Sequence, residues 1–312
     1  MLELKLFGTG QARYFDHPLE GFPCQQAFLM FCYLLINKGH PHPRERLAAV
    51  FWGDYPTLTA RKYLRNTLWR LRQGLESAGV ESSHYLHITE ENIAFVNTSP
   101  YWLDVESFET ITSHYQSYKG ENLLPEQADE LAKGAALYTG DLLESVYEDW
   151  CLVDRERLRM AYLEALNKLM LYSIAHQNYE QGLQYGERFF TLDHTREKVH
   201  RQMMVLHWLS GDQYAALAQY KRCAQILHEE MAIQPMEETR LLYEKMLHNR
   251  FEEDAPARTT SISVPIHTPP WPATNLDTAL LHLDNLQEKV NAMTEEIHLV
   301  QKLIQAMSNE HV

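Results

Sequence analysis

Residues 55 to 75 hold Arg61, Lys62, Arg65, Arg70 and Arg72 and no acidic residue, in a 312-residue chain of formal net charge −14. Within that run Ala60, Leu64, Leu68, Leu71 and Leu75 recur at spacings of four and three, which is one apolar stripe on a helix. A helix buried along this stripe turns Lys62, Arg65, Asn66, Trp69 and Arg70 away from the core and leaves Arg61 and Arg72 on its shoulders. Guanidinium forks on such a face suit phosphates or the O6/N7 edge of guanine in a major groove. The same pattern also describes a solvated surface helix, so the flanking segments decide between the two.

Those segments have an order. Residues 2 to 7 alternate in period two, Gly8 and Gly10 punctuate, and a second strand-like run, Gln11 to Phe15, is broken by His17-Pro18. A mostly apolar helix is predicted from Gln25 to Asn37, then a short one from Arg44 to Phe51 with Pro43 at its first turn. Trp52 to Pro56 reads as a loop, with Thr57 able to cap the basic helix. His84–Thr89, Glu90–Asn92 and Ile93–Val96 read as strand, turn, strand. Sheet, three helices and hairpin make a winged helix, and the basic helix takes the recognition position.

Charge is divided unevenly. Residues 1–98 carry ten Lys/Arg and nine Asp/Glu, the remainder eighteen and thirty-three, so the acidic bulk would repel a polyanion and favour one docking orientation. From Trp102 onward the chain reads as almost wholly helical. Residues 178–193 align with 213–228 at an offset of 35, pairing Tyr179 with Tyr214 and Tyr185 with Tyr220, as tetratricopeptide-like hairpins do. Residues 250–275 hold five prolines and read as a flexible linker. Beyond them Leu276, Leu283, Val290, Ile297 and Ile304 occupy heptad position a, and Ala279, Leu286, Met293, Val300 and Met307 position d, a dimeric coiled coil over 276–308.

The expected architecture is mainly α: a winged helix (1–98, α+β), an all-α tetratricopeptide-like domain (99–249), a linker (250–275) and a C-terminal coiled-coil helix (276–308). Catalysis is not expected, since HExxH, GxSxG and a glycine-rich phosphate loop are all missing. His40-Pro-His42 reads as a loop rather than a metal pair, and no cofactor is expected. Cys24, Cys32, Cys151 and Cys223 are scattered, which predicts reduced thiols in a cytoplasm. Neither a secretory leader nor a membrane span is expected.

Three stretches carry a family resemblance: Pro43-Arg-Glu-Arg-Leu-Ala-Ala-Val-Phe-Trp-Gly-Asp54, with Gly53 where the family usually has Pro; Ala60-Arg-Lys-Tyr-Leu-Arg-Asn-Thr-Leu-Trp-Arg-Leu-Arg72; and Leu137-Tyr-Thr-Gly-Asp-Leu-Leu143 followed by Glu148-Asp-Trp150, Arg155-Glu-Arg-Leu-Arg159 and Tyr162-Leu-Glu-Ala-Leu166. Over residues 2–249 the chain resembles SARP-type bacterial transcriptional activators, an OmpR-type winged helix followed by a bacterial transcriptional activator domain. The resemblance implies an activator that binds promoter direct repeats and recruits RNA polymerase, with Trp52, Gly53, Asp54, Tyr55 and Pro56 touching polymerase. The ATPase module of larger relatives is not implied, as GxxxxGK[ST] is missing, nor is phosphorylation of a receiver domain.

Base contacts are assigned to Arg65, Asn66, Trp69 and Arg70, and phosphate contacts to Arg61, Lys62 and Arg72. Trp69 has two roles open, stacking on a sugar or thymine methyl, or packing against the wing. Homodimerisation falls to Leu276, Leu283, Leu286, Val290, Met293, Ile297, Val300 and Ile304. The rival function is a helical-repeat adaptor whose acidic groove binds a peptide or partner protein, with the winged helix as a protein contact.

Overall fold

The computed structural model describes residues 1–15, 17–19 and 25–248. The linker, the coiled coil with its eight dimerisation residues, and Cys24 lie outside the described residues. Both the predicted winged helix and the predicted helical domain fall within one compact unit, Met1–Ala255.

The alternation at the start forms strand β1 (Leu2–Lys5), and Leu2, Leu4 and Leu6 are fully buried beneath it. It pairs antiparallel with β2 (Gln11–Tyr14), and β2 pairs with β3 (His17–Pro18). His17-Pro18 therefore extends the meander rather than breaking it; Phe15, at φ 48, makes the turn. Helix α1 (Gln25–Ile36) crosses the core, and β4 (His42–Pro43) leads into α2 (Arg44–Trp52). The basic helix is α3 (Thr57–Ser77), with Pro56 rather than Thr57 in the cap position and no side-chain cap bond. A short helix, α4 (Ser82–Tyr85), replaces the start of the predicted first wing strand. The wing is then β5 (Leu86–Ile88) with β6 (Asn92–Phe95), to which β4 adds a third strand through His42↔Ile93.

Strand β7 (Tyr101–Leu103) returns parallel to β1, so the first sheet runs β3-β2-β1-β7. Helix α5 (Asp104–His114) starts directly from β7. Its first residue, Asp104, is buried, and its carboxylate accepts the backbone N–H groups of Leu6 (2.9 Å), Phe7 (3.1 Å) and Val105 (2.7 Å). Burial pushes this carboxyl up, against the pull of the three amide donors. A single 3₁₀ turn (Gly120–Asn122) and α6 (Pro125–Ala136) follow, then α7 (Asp149–Ala175), α8 (Tyr179–Phe190), α9 (Glu197–Leu209), α10 (Gln213–Met231) and α11 (Glu237–Leu247).

The segment Leu137–Leu143 is not helical; it docks on the end of β1. Leu143 N donates to Leu6 O at 2.9 Å, and Gly8 N to Asp141 O at 2.9 Å. Arg159 pairs with Asp141, which also accepts from the Tyr138 hydroxyl at 2.5 Å; Tyr138 stacks on Tyr162 at 4.2 Å. Arg155 donates to the carbonyls of Leu142, Leu143 and Val146 at 2.6 to 2.9 Å. The third resemblance motif thus holds the helical body to the N-terminal sheet. Trp150 completes the junction by packing edge-on against Tyr33 of α1, with centroids 5.3 Å apart.

The helical repeat is real but its register is 34, not 35. Gly182, Tyr185 and Phe189 of α8 are buried where Ala216, Gln219 and Cys223 of α10 are buried. The left-handed residues Gln177 and Gly211, which end the preceding helices, keep the same spacing. Tyr179 and Tyr214 are therefore not equivalent, and Tyr214 is 84% exposed rather than core. Gly182 belongs to the close approach of α8 to α9, where an added Cβ would stand 2.6 Å from Leu206 Cδ2.

Burial pushes His42, His200 and His207 down. His42 is a buried β4 residue whose Nε2 lies 2.9 Å from Asn37 O, not a loop residue. His200 bonds His194 O at 2.9 Å and Gln219 at 2.7 Å. Unfolded histidines titrate at about 6.5, so the unfolded chain takes up these protons first. Stability is then full above that value and falls as pH drops toward the folded values. The thermal midpoint is expected to decrease between about pH 7.5 and 5.5; a midpoint flat across that interval would contradict the reading.

Candidate nucleic-acid interface

The α3 seam is buried as its spacing requires: Ala60, Leu64, Leu68, Leu71 and Leu75 are each 5% exposed or less. Arg61, Lys62, Arg65, Asn66, Trp69, Arg70 and Arg72 all lie on the exposed side. The structure therefore brings all seven together on one helix, and their partners separate them into two groups.

Arg61 is clamped by Glu45 of α2, with contacts of 2.9 and 3.1 Å. Arg72 faces Glu76 at 3.9 Å and donates to the Ser82 hydroxyl at 3.4 Å. Lys62, Arg65 and Arg70 make no hydrogen bond or ion pair among the described residues. These three carry the uncompensated charge of the face. Trp69 is 62% exposed and stacks on no ring among the described residues, so it is not packed away against the wing.

The wing is short and acidic at its tip. Thr89 closes the turn through its hydroxyl, which accepts from Asn92 N at 2.9 Å, and Arg44 braces it by donating to Thr89 O at 3.0 Å. Glu90 and Glu91 stand exposed between the strands. A pair of carboxylates there repels phosphate, which disfavours the wing tip as an anion contact.

The segment assigned to polymerase divides. Trp52 is the last residue of α2, only 9% exposed, and packs against Phe51 and Tyr63. It is core, because the helix runs one residue further than its sequence suggests. Gly53, Asp54, Tyr55 and Pro56 are exposed, and Tyr55 meets Tyr63 edge-on at 5.2 Å. Leu58, 80% exposed, adds an apolar residue beside them that no periodicity marked out. Glu45 was also missed; nothing local signals that an acid sixteen residues earlier will hold Arg61.

Among the described residues no group of His, Cys, Asp and Glu could hold a metal ion, and no helix is long and apolar enough to cross a membrane. Cys32, Cys151 and Cys223 are free and buried, and burial pushes each thiol up.

Residues 103–247 match the bacterial transcriptional activator domain family. The chain is 24% identical over 261 residues to the transcriptional regulatory protein MoaR1 of Mycobacterium tuberculosis, covering 83% of this chain and 81% of that one. It is 24% identical over 240 residues to the regulatory protein AfsR of Streptomyces griseus, covering 76% of this chain but only 24% of AfsR. Among solved structures, Mycobacterium tuberculosis EmbR in complex with a low-affinity phosphopeptide superposes with a TM-score of 0.67 at 19% identity, over 80% of this chain and 65% of that one. That superposition shows the fold. The activator-domain match and the two relatives agree with it: the chain carries a stretch that matches a bacterial transcriptional activator domain and is similar, over three quarters or more of its length, to SARP-type regulatory proteins.

Proposed function

We propose that the chain activates transcription by binding promoter direct repeats through α3 and recruiting RNA polymerase. The observation that carries this is the α3 face, on which Lys62, Arg65 and Arg70 stand unpaired beside Asn66 and an open indole. Arg65, Asn66, Trp69 and Arg70 read base edges, the indole meeting sugar or a thymine methyl, while Lys62, Arg61 and Arg72 hold phosphates. Exposed Gly53–Pro56, with Tyr55 at its centre, is the polymerase-facing surface, and Trp52 only supports it from below. Residues 1–98 serve as the DNA-binding part and 99–249 as the activator part. The heptads of 276–308 hold two copies together, placing one winged helix on each repeat.

The test is an anisotropy titration of the full chain with duplex from upstream of its own coding sequence, at rising salt. About five phosphate contacts per protomer give a slope near −4.5 in log K against log salt, a several-hundred-fold loss between about 50 and 200 mM. A helical-repeat adaptor with an apolar groove would be indifferent to salt and would not bind the duplex. In the same assay Glu45→Gln frees Arg61 for the backbone. Because Arg61 then no longer has to leave Glu45 to reach its phosphate, affinity is expected to rise severalfold at low salt with the slope little changed. An unchanged affinity would remove Arg61 from the contact set.

A further inference from the structure

A cavity of about 690 Å³ opens in the helical body between α5, α7 and α9, within the roughly 300–1,000 Å³ of small-molecule sites. Leu131, Leu163, Phe189 and Val199 give it a buried apolar floor. Its ionic lining is inverted relative to the surrounding sequence: Arg157, Lys168, Arg196 and Lys198 against Glu109 and Glu164, whereas over residues 99–312 acids outnumber bases thirty-three to eighteen.

Three of those cations are engaged. Arg157 is held by Glu109 and Asp154. Lys168 meets Glu164 at 3.1 Å and donates to the carbonyls of Tyr115 and Gln116 at the end of α5. Arg196 is bound by Asp193 at 2.6 Å. Lys198, on the first turn of α9, makes no hydrogen bond or ion pair among the described residues. Two amides face the same space. Asn167 uses its carbonyl oxygen to accept from Gln202 at 2.8 Å, which leaves its NH₂ open and Gln202 Oε1 buried without a donor. The Gln116 side chain has no partner among the described residues.

We propose that this cavity binds an amphipathic organic anion, its acidic head taken by Lys198 and its apolar body laid over Phe189, Leu163 and Val199. Asn167 and Gln116 are placed to meet polar atoms between head and body. A cation is disfavoured because the lining charge left without an ion-pair partner among the described residues, Lys198, is positive, and a wholly apolar ligand would leave Lys198 and both amides unmet. This site is independent of the DNA face.

The test titrates the full-length protein with 8-anilinonaphthalene-1-sulfonate and follows its fluorescence. One saturable site is expected, displaced by decanoate and not by decanol. Lys198→Glu, at an exposed position, is expected to weaken binding by about tenfold or more through loss and reversal of the head-group contact. Ala161→Phe, which fills the cavity from its α7 wall, should abolish it; circular dichroism checks that variant's fold, and Lys198→Glu decides alone if it is disturbed. Val153→Ser removes an exposed apolar residue of α7 outside the cavity and should leave binding as it was. The proposal fails if no saturable site exists, if Lys198→Glu binds like the parent, or if Val153→Ser removes the signal. It fails equally if decanol competes as well as decanoate, or if an acidic peptide displaces the dye where decanoate does not.

Discussion

Arg65→Ala combined with Arg70→Ala is expected to weaken the shift of promoter duplex by the full chain by about a hundredfold or more while leaving its circular dichroism and denaturation midpoint unchanged. Both side chains are exposed and make no ion pair or hydrogen bond among the described residues, so removing them takes nothing from the fold. Each guanidinium that grips a guanine edge contributes about 1–3 kcal/mol of discrimination, so the pair together is worth on the order of a hundredfold in affinity or more. Loss should be greatest on the preferred sequence, because the remaining Lys62, Arg61 and Arg72 still attract any duplex. The double variant should therefore retain weak, salt-sensitive, sequence-indifferent binding. A shift that survives at parental affinity would place DNA recognition away from α3.

The second large effect concerns the junction. Asp104→Ala removes the acceptor for the Leu6 and Phe7 amides, which lie ninety-eight and ninety-seven residues earlier in the chain. A buried donor left without a partner costs about 1–3 kcal/mol. With two such donors, and the Val105 amide at the helix start as well, the loss is expected to be about 3 kcal/mol or more. Asp104→Asn keeps one acceptor oxygen and should lose less. Urea denaturation with unchanged m-value would report it. An alanine variant as stable as the parent would show that water or a shifted backbone satisfies these amides. The same substitution frees the start of α5 from β1, beside the docking of Leu143 on Leu6, and so weakens the seam between the N-terminal sheet and the helical body.

Much of this was legible from residues alone, for a physical reason. The α3 seam repeats at helical spacing, so Leu64, Leu68, Leu71 and Leu75 define a buried side without reference to any other element. The alternation of Leu2, Leu4 and Leu6 marks a strand in the same way, and all three are buried. Strands β3 and β4 were not legible, because two-residue strands have no period and exist only through their partners. Strand β7 was missed because Tyr101–Leu103 opens onto a helix and pairs with residues a hundred positions away. The repeat register slipped by one because Tyr179 and Tyr214 match as letters, whereas the buried contacts follow Gly182 and Ala216. An identity in sequence carries no information about which side of a helix it faces.

On α3, local spacing by itself separated a buried leucine side from an outward side carrying five cations, because a helix converts spacing into direction. Which of those cations remain unpaired is a tertiary matter. Arg61 meets Glu45 across two helices, and Arg72 meets Ser82 beyond the helix end. Trp52 was indistinguishable from its exposed neighbours until α2 and α3 packed around it. Likewise the cavity beside Lys198 assembles residues from five helices between positions 109 and 199. Direction is a property of one element's backbone; partnership and enclosure require elements distant in sequence to meet, and only the folded chain brings them together.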